Sequence, residues 1–292
     1  MKKCIVLFTF VMISILLPAQ HKGIPFAEGT WAEICSRSVK ENKPIFVDCF
    51  TTWCGPCKWL AKNVFPKDEV GEYYAANYIC VEIDMEKGEG PELAKKWQIR
   101  AYPTLIFCDA KGEVLHRSCG VDYRDDFYKD FIQLGKDAKD PEKQFIGFKK
   151  KVEAGNADSK TTATYIWLMA RGYMPYADEL TKYWTTQKDE ELLKRYNWEL
   201  IYNLNSSYES REFKFLMANR EKYEKLYTVD SVGTKIGGVY ANALLMASKD
   251  DEKFEKIKTE LRSTGIRDPD KIILHAEMYK YKNNSYIFHV VQ

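Results

Sequence analysis

Two cysteines lie within the segment Trp53-Cys54-Gly55-Pro56-Cys57-Lys58, separated by a pair of residues suited to a turn into a helix. A helix N-terminus concentrates unpaired N–H groups and the positive end of the helix dipole. Cysteines so placed have pKa values lowered to roughly 3.5 to 7.5, and the thiolate is the nucleophile. The spacing lets Cys57 reach Cys54, so a mixed disulfide with a substrate resolves within one chain. Thiol–disulfide exchange is therefore the chemistry expected. A structural disulfide or half a zinc site fits less well, because no second C-x-x-C exists and neither Cys108, Cys119 nor His21, His116, His275 and His289 stands at a familiar ligand spacing. The reading calls for no metal and no cofactor.

The elements that must position this pair are legible in the flanking pattern. Ile45, Val47 and Cys49 alternate with Phe46, Asp48 and Phe50, which predicts a central strand over 44–50, apolar on both faces except for one carboxylate. Cys57, Leu60, Ala61 and Val64 follow at helical spacing as an inward stripe, which leaves Cys54 at the exposed end and shields Cys57. Then come a strand over 79–84, a short helix from Pro91 to about Trp97, a strand over 104–108, a turn at Asp109-Ala110-Lys111-Gly112, a strand over 113–119 and a helix from about Tyr123 to Gly135. Asp48 lies between Phe46 and Phe50, where desolvation should raise its pKa and let it accept a proton near neutrality. Pro103, next to a groove, has no N–H and leaves neighbouring backbone groups to pair with an extended substrate. Symmetric pairing about the 109–112 turn would put Cys119 opposite Tyr102, a third sulfur near that groove. Its plainer role, like that of Cys35, Cys49, Cys80 and Cys108, is a small packed residue.

This β-α-β, α, β-β-α order, with the Trp53 to Lys58 hexapeptide and the later Tyr102-Pro103-Thr104, resembles the thioredoxin family over residues 25–138. The resemblance implies an α/β thioredoxin fold, a central mixed sheet flanked by helices. It implies Cys54 as the attacking cysteine, Cys57 as the resolving one and Asp48 as the buried acid that moves the proton of the second thiol. Pro103 would be the cis-proline facing the sulfurs and Gly120 a glycine lining the substrate groove, with Trp53 and Tyr102 beside them as substrate-binding residues. Protein disulfides as substrates and an external thiol electron donor are implied with it. The chain departs from the family at Phe50, where tryptophan is common, and in its extra cysteines. The run Val64-Phe65-Pro66-Lys67-Asp68 is similar to exported thioredoxin-like domains.

Residues 1–20 read as a cleaved signal peptide: Lys2 and Lys3, an apolar run from Cys4 to Leu17, then Pro18-Ala19-Gln20. That run is shorter than the roughly 20 residues of a membrane span. An exported protein, in a bacterial periplasm, with no membrane span after signal cleavage is the expectation. The full chain has 44 basic and 42 acidic side chains, and losing Lys2 and Lys3 leaves it formally neutral, which argues against a nucleic-acid partner. All eight cysteines lie at or before Cys119, so the sulfur belongs to one domain, read as 21–139. Residues 140–292 read as an all-α domain: Leu193, Tyr196, Leu200 and Leu204, then Tyr240, Ala243, Leu244 and Ala247, then Phe254, Ile257 and Leu261 follow helical periods. Breaks are expected at Gly155-Asn156, Asn205-Ser206-Ser207, Gly237-Gly238 and Asp268-Pro269. The layout suits a bundle or repeat-like helix pairs that dock a partner, since it contains no chemical constellation. The function expected is an exported thiol-disulfide oxidoreductase, with the Gly55-Pro56 pair resembling reducing members. The alternative is a non-catalytic interaction or redox-sensing protein whose helical domain binds a partner.

Overall fold

Strand β1 (Ile45–Phe50) buries side chains on both faces, and this makes it the centre of everything that positions the cysteines. The computed structural model describes residues 23–288, so the signal peptide expected at 1–20 lies outside the described residues. Around β1 the order is α1 (Trp31–Glu41), β1, α2 (Gly55–Asn63), α3 (Asp68–Asn77), β2 (Ile79–Asp84), α4 (Gly90–Lys96), β3 (Thr104–Cys108), β4 (Val114–Cys119) and α5 (Phe127–Lys139). The sheet order is β2-β1-β3-β4. β1 pairs parallel with β2 from Ile45↔Ile79 to Phe50↔Asp84, and antiparallel with β3 from Ile45↔Cys108 to Cys49↔Thr104. The mixed sheet flanked by helices is the one expected.

Pleat alternation divides the core in two. Ile45, Val47 and Cys49 pack with Ile34 of α1, Leu93 of α4, Trp97, Ile106 and Cys108. On the opposite face Phe46 meets Tyr74 of α3 at 4.8 Å, Phe107 at 5.2 Å and Phe131 of α5 at 5.7 Å. Each such ring contributes roughly 1.5–3 kcal/mol by leaving water. Tyr74 and Tyr78 also donate their hydroxyls to the carbonyls of Phe131 and Gly135, at 2.8 and 2.5 Å, which ties α3 and the turn after it to α5.

Helices α1 and α3 lie outside the element order read from the sequence, although α1 opens with a capping box in which Thr30 and Glu33 exchange hydrogen bonds. Helix α5 begins at Phe127, four residues later than expected, because Arg124 gathers the preceding acidic residues into a loop. In α2 the inward stripe is Cys57 and Leu60, continued by Val64 and Phe65, while Ala61 is exposed. Gly90 permits the closest approach near the sheet: a Cβ there would sit 1.9 Å from the Asp84 carbonyl oxygen.

Contacts divide the chain into two compact units, one reaching Val114 and including Gly120–Asp137, the other comprising Leu115–Cys119 and everything from Ala138. The second holds α6 (Phe145–Glu153), α7 (Ser159–Arg171), α8 (Ala177–Thr186), a 3-10 turn (Asp189–Leu193), α9 (Arg195–Leu204), α10 (Arg211–Ala218), α11 (Arg220–Tyr227), α12 (Val229–Met246), α13 (Asp251–Ser263) and α14 (Pro269–Phe288). Leu200, Leu244, Phe254, Ile257 and Leu261 are buried as their periods predicted. The expected breaks fall between helices at Gly155, Asn205 and Asp268, but Gly237-Gly238 lies inside α12. There the missing side chain serves packing, since a Cβ on Gly237 would stand 3.0 Å from Ile272 Cδ1 of α14. Among the described residues, no helix is long and apolar enough to cross a membrane.

Lys235 of α12 is buried and donates to the carbonyls of Tyr202, at 3.0 Å, and Asn205, closing the C-terminal end of α9. Burial pushes its pKa down to about 8. The unfolded chain, with an ordinary lysine near 10.4, then binds more protons than the native chain between those values, so stability rises with pH across that window. Denaturant unfolding at pH 7.5 and 10 should show wild type gaining about 1–2 kcal/mol relative to Lys235→Met; a pH-independent difference would refute this account. Gly90→Ala should cost about 3 kcal/mol or prevent folding, by the overlap with Asp84, and wild-type stability in that variant would show that the loop yields freely.

Candidate redox site

Beyond β1 the chain turns once, with the Cys54 N–H on the Thr51 carbonyl at 3.1 Å, and enters α2. Cys54 is the N-cap residue, in extended conformation, and its Sγ accepts the backbone N–H of Cys57 at 3.1 Å. Pro56 occupies the first turn, where a backbone N–H has no intrahelical partner. The two sulfurs are bonded at 2.08 Å, with Cα atoms 5.3 Å apart. The geometry can therefore hold a disulfide, and the same N–H and helix terminus favour a thiolate on Cys54 once the pair is reduced.

The contrast in exposure expected between the cysteines is absent: Cys54 is 3% and Cys57 4% exposed. As the N-cap, Cys54 turns its sulfur back over the first turn toward the Cys57 N–H, so position at a helix end does not make it prominent. Trp53 is the projecting residue, 65% exposed. Its indole Nε1 donates to both carboxylate oxygens of Glu86, each at 3.0 Å, and its ring meets Tyr102 edge-to-face at 5.9 Å. Glu86 carries no periodic or motif signal in the sequence, and only the loop between β2 and α4 brings it here.

Asp48 is 2% exposed, and its Oδ1 has no hydrogen-bond partner. Desolvation pushes its pKa well above the ordinary carboxylate range, and Glu82, its register partner on β2, pushes the same way. Its raised affinity for a proton agrees with the expectation from Phe46 and Phe50. The peptide bond between Tyr102 and Pro103 is cis, and the Pro103 carbonyl accepts the N–H of Gly120 at 2.9 Å. Gly120 has φ +84°, with open space where a Cβ would be. The Asp109 N–H meets the Glu113 carbonyl, so the hairpin is not symmetric as expected. Gly120 is hydrogen-bonded to the cis-proline through its backbone N–H. The thiols of Cys35 and Cys108 are pushed up in pKa chiefly by burial, and that of Cys80 to about 12, which suits packing better than nucleophilic attack. Among the described residues, no three His, Cys, Asp or Glu side chains converge as a metal site would.

A family model described as a thioredoxin-like domain matches residues 33–130. A thioredoxin-like protein of Synechocystis sp. is 37% identical over 79 residues, covering 27% of this chain and 70% of that protein. The thioredoxin of Mycobacterium tuberculosis is 34% identical over 77 residues, 26% of this chain and 62% of that protein. A solution structure of a proposed disulphide-isomerase from Bacteroides thetaiotaomicron is 44% identical, covering 42% of this chain and all of that one, with a TM-score of 0.36. With the dithiol at the head of α2, the mixed sheet behind it and a relative matched over most of its length, the chain belongs to the thioredoxin family, the thiol-disulfide oxidoreductases.

Proposed function

We propose that the chain reduces disulfides in other polypeptides, with Cys54 as the attacking and Cys57 as the resolving residue. The observation that carries this reading is the Cys57 N–H held on Cys54 Sγ at the start of α2, within bonding distance of a second sulfur. The Cys54 thiolate attacks one sulfur of a substrate disulfide; that bond breaks, a Cys54–substrate disulfide forms, and the other substrate sulfur leaves and takes a proton. Asp48, kept basic by burial, accepts the Cys57 proton, and the Cys57 sulfur displaces the second substrate thiolate. The substrate gains two electrons and the Cys54–Cys57 pair is oxidised. An external thiol donor then returns it to the dithiol. The substrate main chain lies along Pro103 and Gly120, with Trp53 and Tyr102 at the side. The Gly55-Pro56 pair supports the reducing direction by its resemblance to reducing members.

The domain division proposed is 21–139 for the redox domain and 140–292 for the helical domain. The helical part selects or docks the partner, which its lack of a chemical constellation supports. The leader-like residues 1–20 support export, and a bacterial periplasm is the compartment proposed.

Insulin disulfide reduction with a small dithiol as the electron source tests the chemistry. Cys54→Ser should lower turnover by about 100-fold or more, and Cys57→Ser should accumulate a substrate disulfide on Cys54 detectable by mass spectrometry. Cysteine-independent turnover, or none in wild type, would point to a binding protein instead. Asp48→Asn should slow turnover about 10-fold or more and remove one ionisation from its pH profile. It should also alter stability. Because the folded-state pKa of Asp48 is raised, its favourable contribution is complete below about pH 3.9 and is lost as pH rises through the folded value. Asp48→Asn should therefore match wild type at pH 3 and exceed it by about 1–3 kcal/mol at pH 8, as measured by denaturant unfolding. A variant equally stable at both, with unchanged rate, would remove Asp48 from the mechanism.

A further inference from the structure

A second aromatic pair adjoins the dithiol and takes no part in the exchange described above. Trp59 follows Gly55 by one turn of α2 and so shares its face, and Gly55 has open space where a Cβ would be. Trp59 meets Tyr123 edge-to-face at 5.2 Å and Phe127 at 6.2 Å. Tyr123 is 61% exposed and lies three residues beyond Gly120, whose N–H is bonded to Pro103. The exposed ring thus stands on the loop that leaves the cis-proline, braced from below by the helix that carries the cysteines.

The loop is held in place. Arg124 binds Asp122 at 2.6 Å, Asp126 at 3.1 Å and Asp130 of α5 at 2.6 Å. Each exposed pair is worth little alone, but three carboxylates on one guanidinium form a network that spans the loop and the first turn of α5. Holding a large aromatic side chain exposed in one position reduces the ordering cost of binding against it. An exposed apolar surface continuous with a reactive centre is a recognition feature.

We infer that Tyr123, supported by Trp59 and positioned by Arg124, is a specificity-determining residue: it receives a large apolar side chain near the disulfide cysteine of an extended polypeptide substrate. The inference rests on the proposed exchange at Cys54. The occupant follows from position along the chain: Trp59 stands four residues beyond Gly55 and Tyr123 three beyond Gly120, whose N–H is bonded to Pro103, and a Cβ at either glycine would meet nothing within 4 Å. A substrate chain drawn along Pro103 and Gly120 carries its next side chains onto Tyr123.

The test uses the full chain and peptides that each hold one cysteine in disulfide linkage to thionitrobenzoate, whose release is followed by absorbance. A leucine or a serine is placed at each of four positions on either side of that cysteine. Wild type should favour leucine about 10-fold in kcat/KM at one position or more, Tyr123→Ala should bring that ratio near 1, and Tyr123→Phe should retain it. Arg124→Ala should reduce the ratio part of the way. Each ratio is taken within one protein, so a general loss of activity or folding cancels. No discrimination at any position, or discrimination that survives in Tyr123→Ala, overturns the inference. So does a dimer in sedimentation that Tyr123→Ala dissociates, which would make the ring a self-association contact. Failure of wild type to release thionitrobenzoate from any peptide would instead refute the exchange reaction at Cys54.

Discussion

One backbone N–H, that of Cys57, points at the Cys54 sulfur, and this contact is where the fold becomes chemistry. It exists because β1 is buried on both faces and cannot shift, so the turn through Thr51 delivers Cys54 to the N-cap of α2 in one position. An N-cap residue satisfies helix donors, usually through oxygen. Here sulfur does so, and the field that caps the helix is also the field that stabilises a thiolate.

Burial of Asp48 works against stability. A carboxyl with an orphaned oxygen inside a sheet is unfavourable for the fold, and the raised pKa is the measure of that. The large aromatic cluster of Phe46, Tyr74, Phe107 and Phe131 on the same face of β1 offsets it.

The approach to the dithiol is framed by rings of two origins. Trp53 and Tyr102 belong to the motif segments, Trp53 being held by Glu86, while Trp59 and Tyr123 meet across α2 and the loop after β4. Both are edge-to-face contacts with one strongly exposed ring, which gives broad apolar surface with few rotatable bonds. The helical unit is held by a different device, continuous burial along α9, α12 and α13, with Lys235 closing the end of α9.

How much could be read from residues alone depended on the range of the interaction concerned. The dithiol, the alternating strand 45–50 and the periods around Leu200, Leu244 and Phe254 are short-range patterns, and the structure contains them at those positions. Gly237-Gly238 misleads for the same reason: glycines mark breaks locally, but Ile272 from a distant helix gives this pair a packing role. Glu86, the Gly120–Pro103 bond and the burial of Cys54 arise where segments far apart in sequence meet. The sequence by itself determined which atoms can exchange electrons, because thiol type and helix-end spacing are local. Tertiary structure alone decided how far those atoms are covered and which rings flank them, because burial and orientation depend on every segment packed around β1.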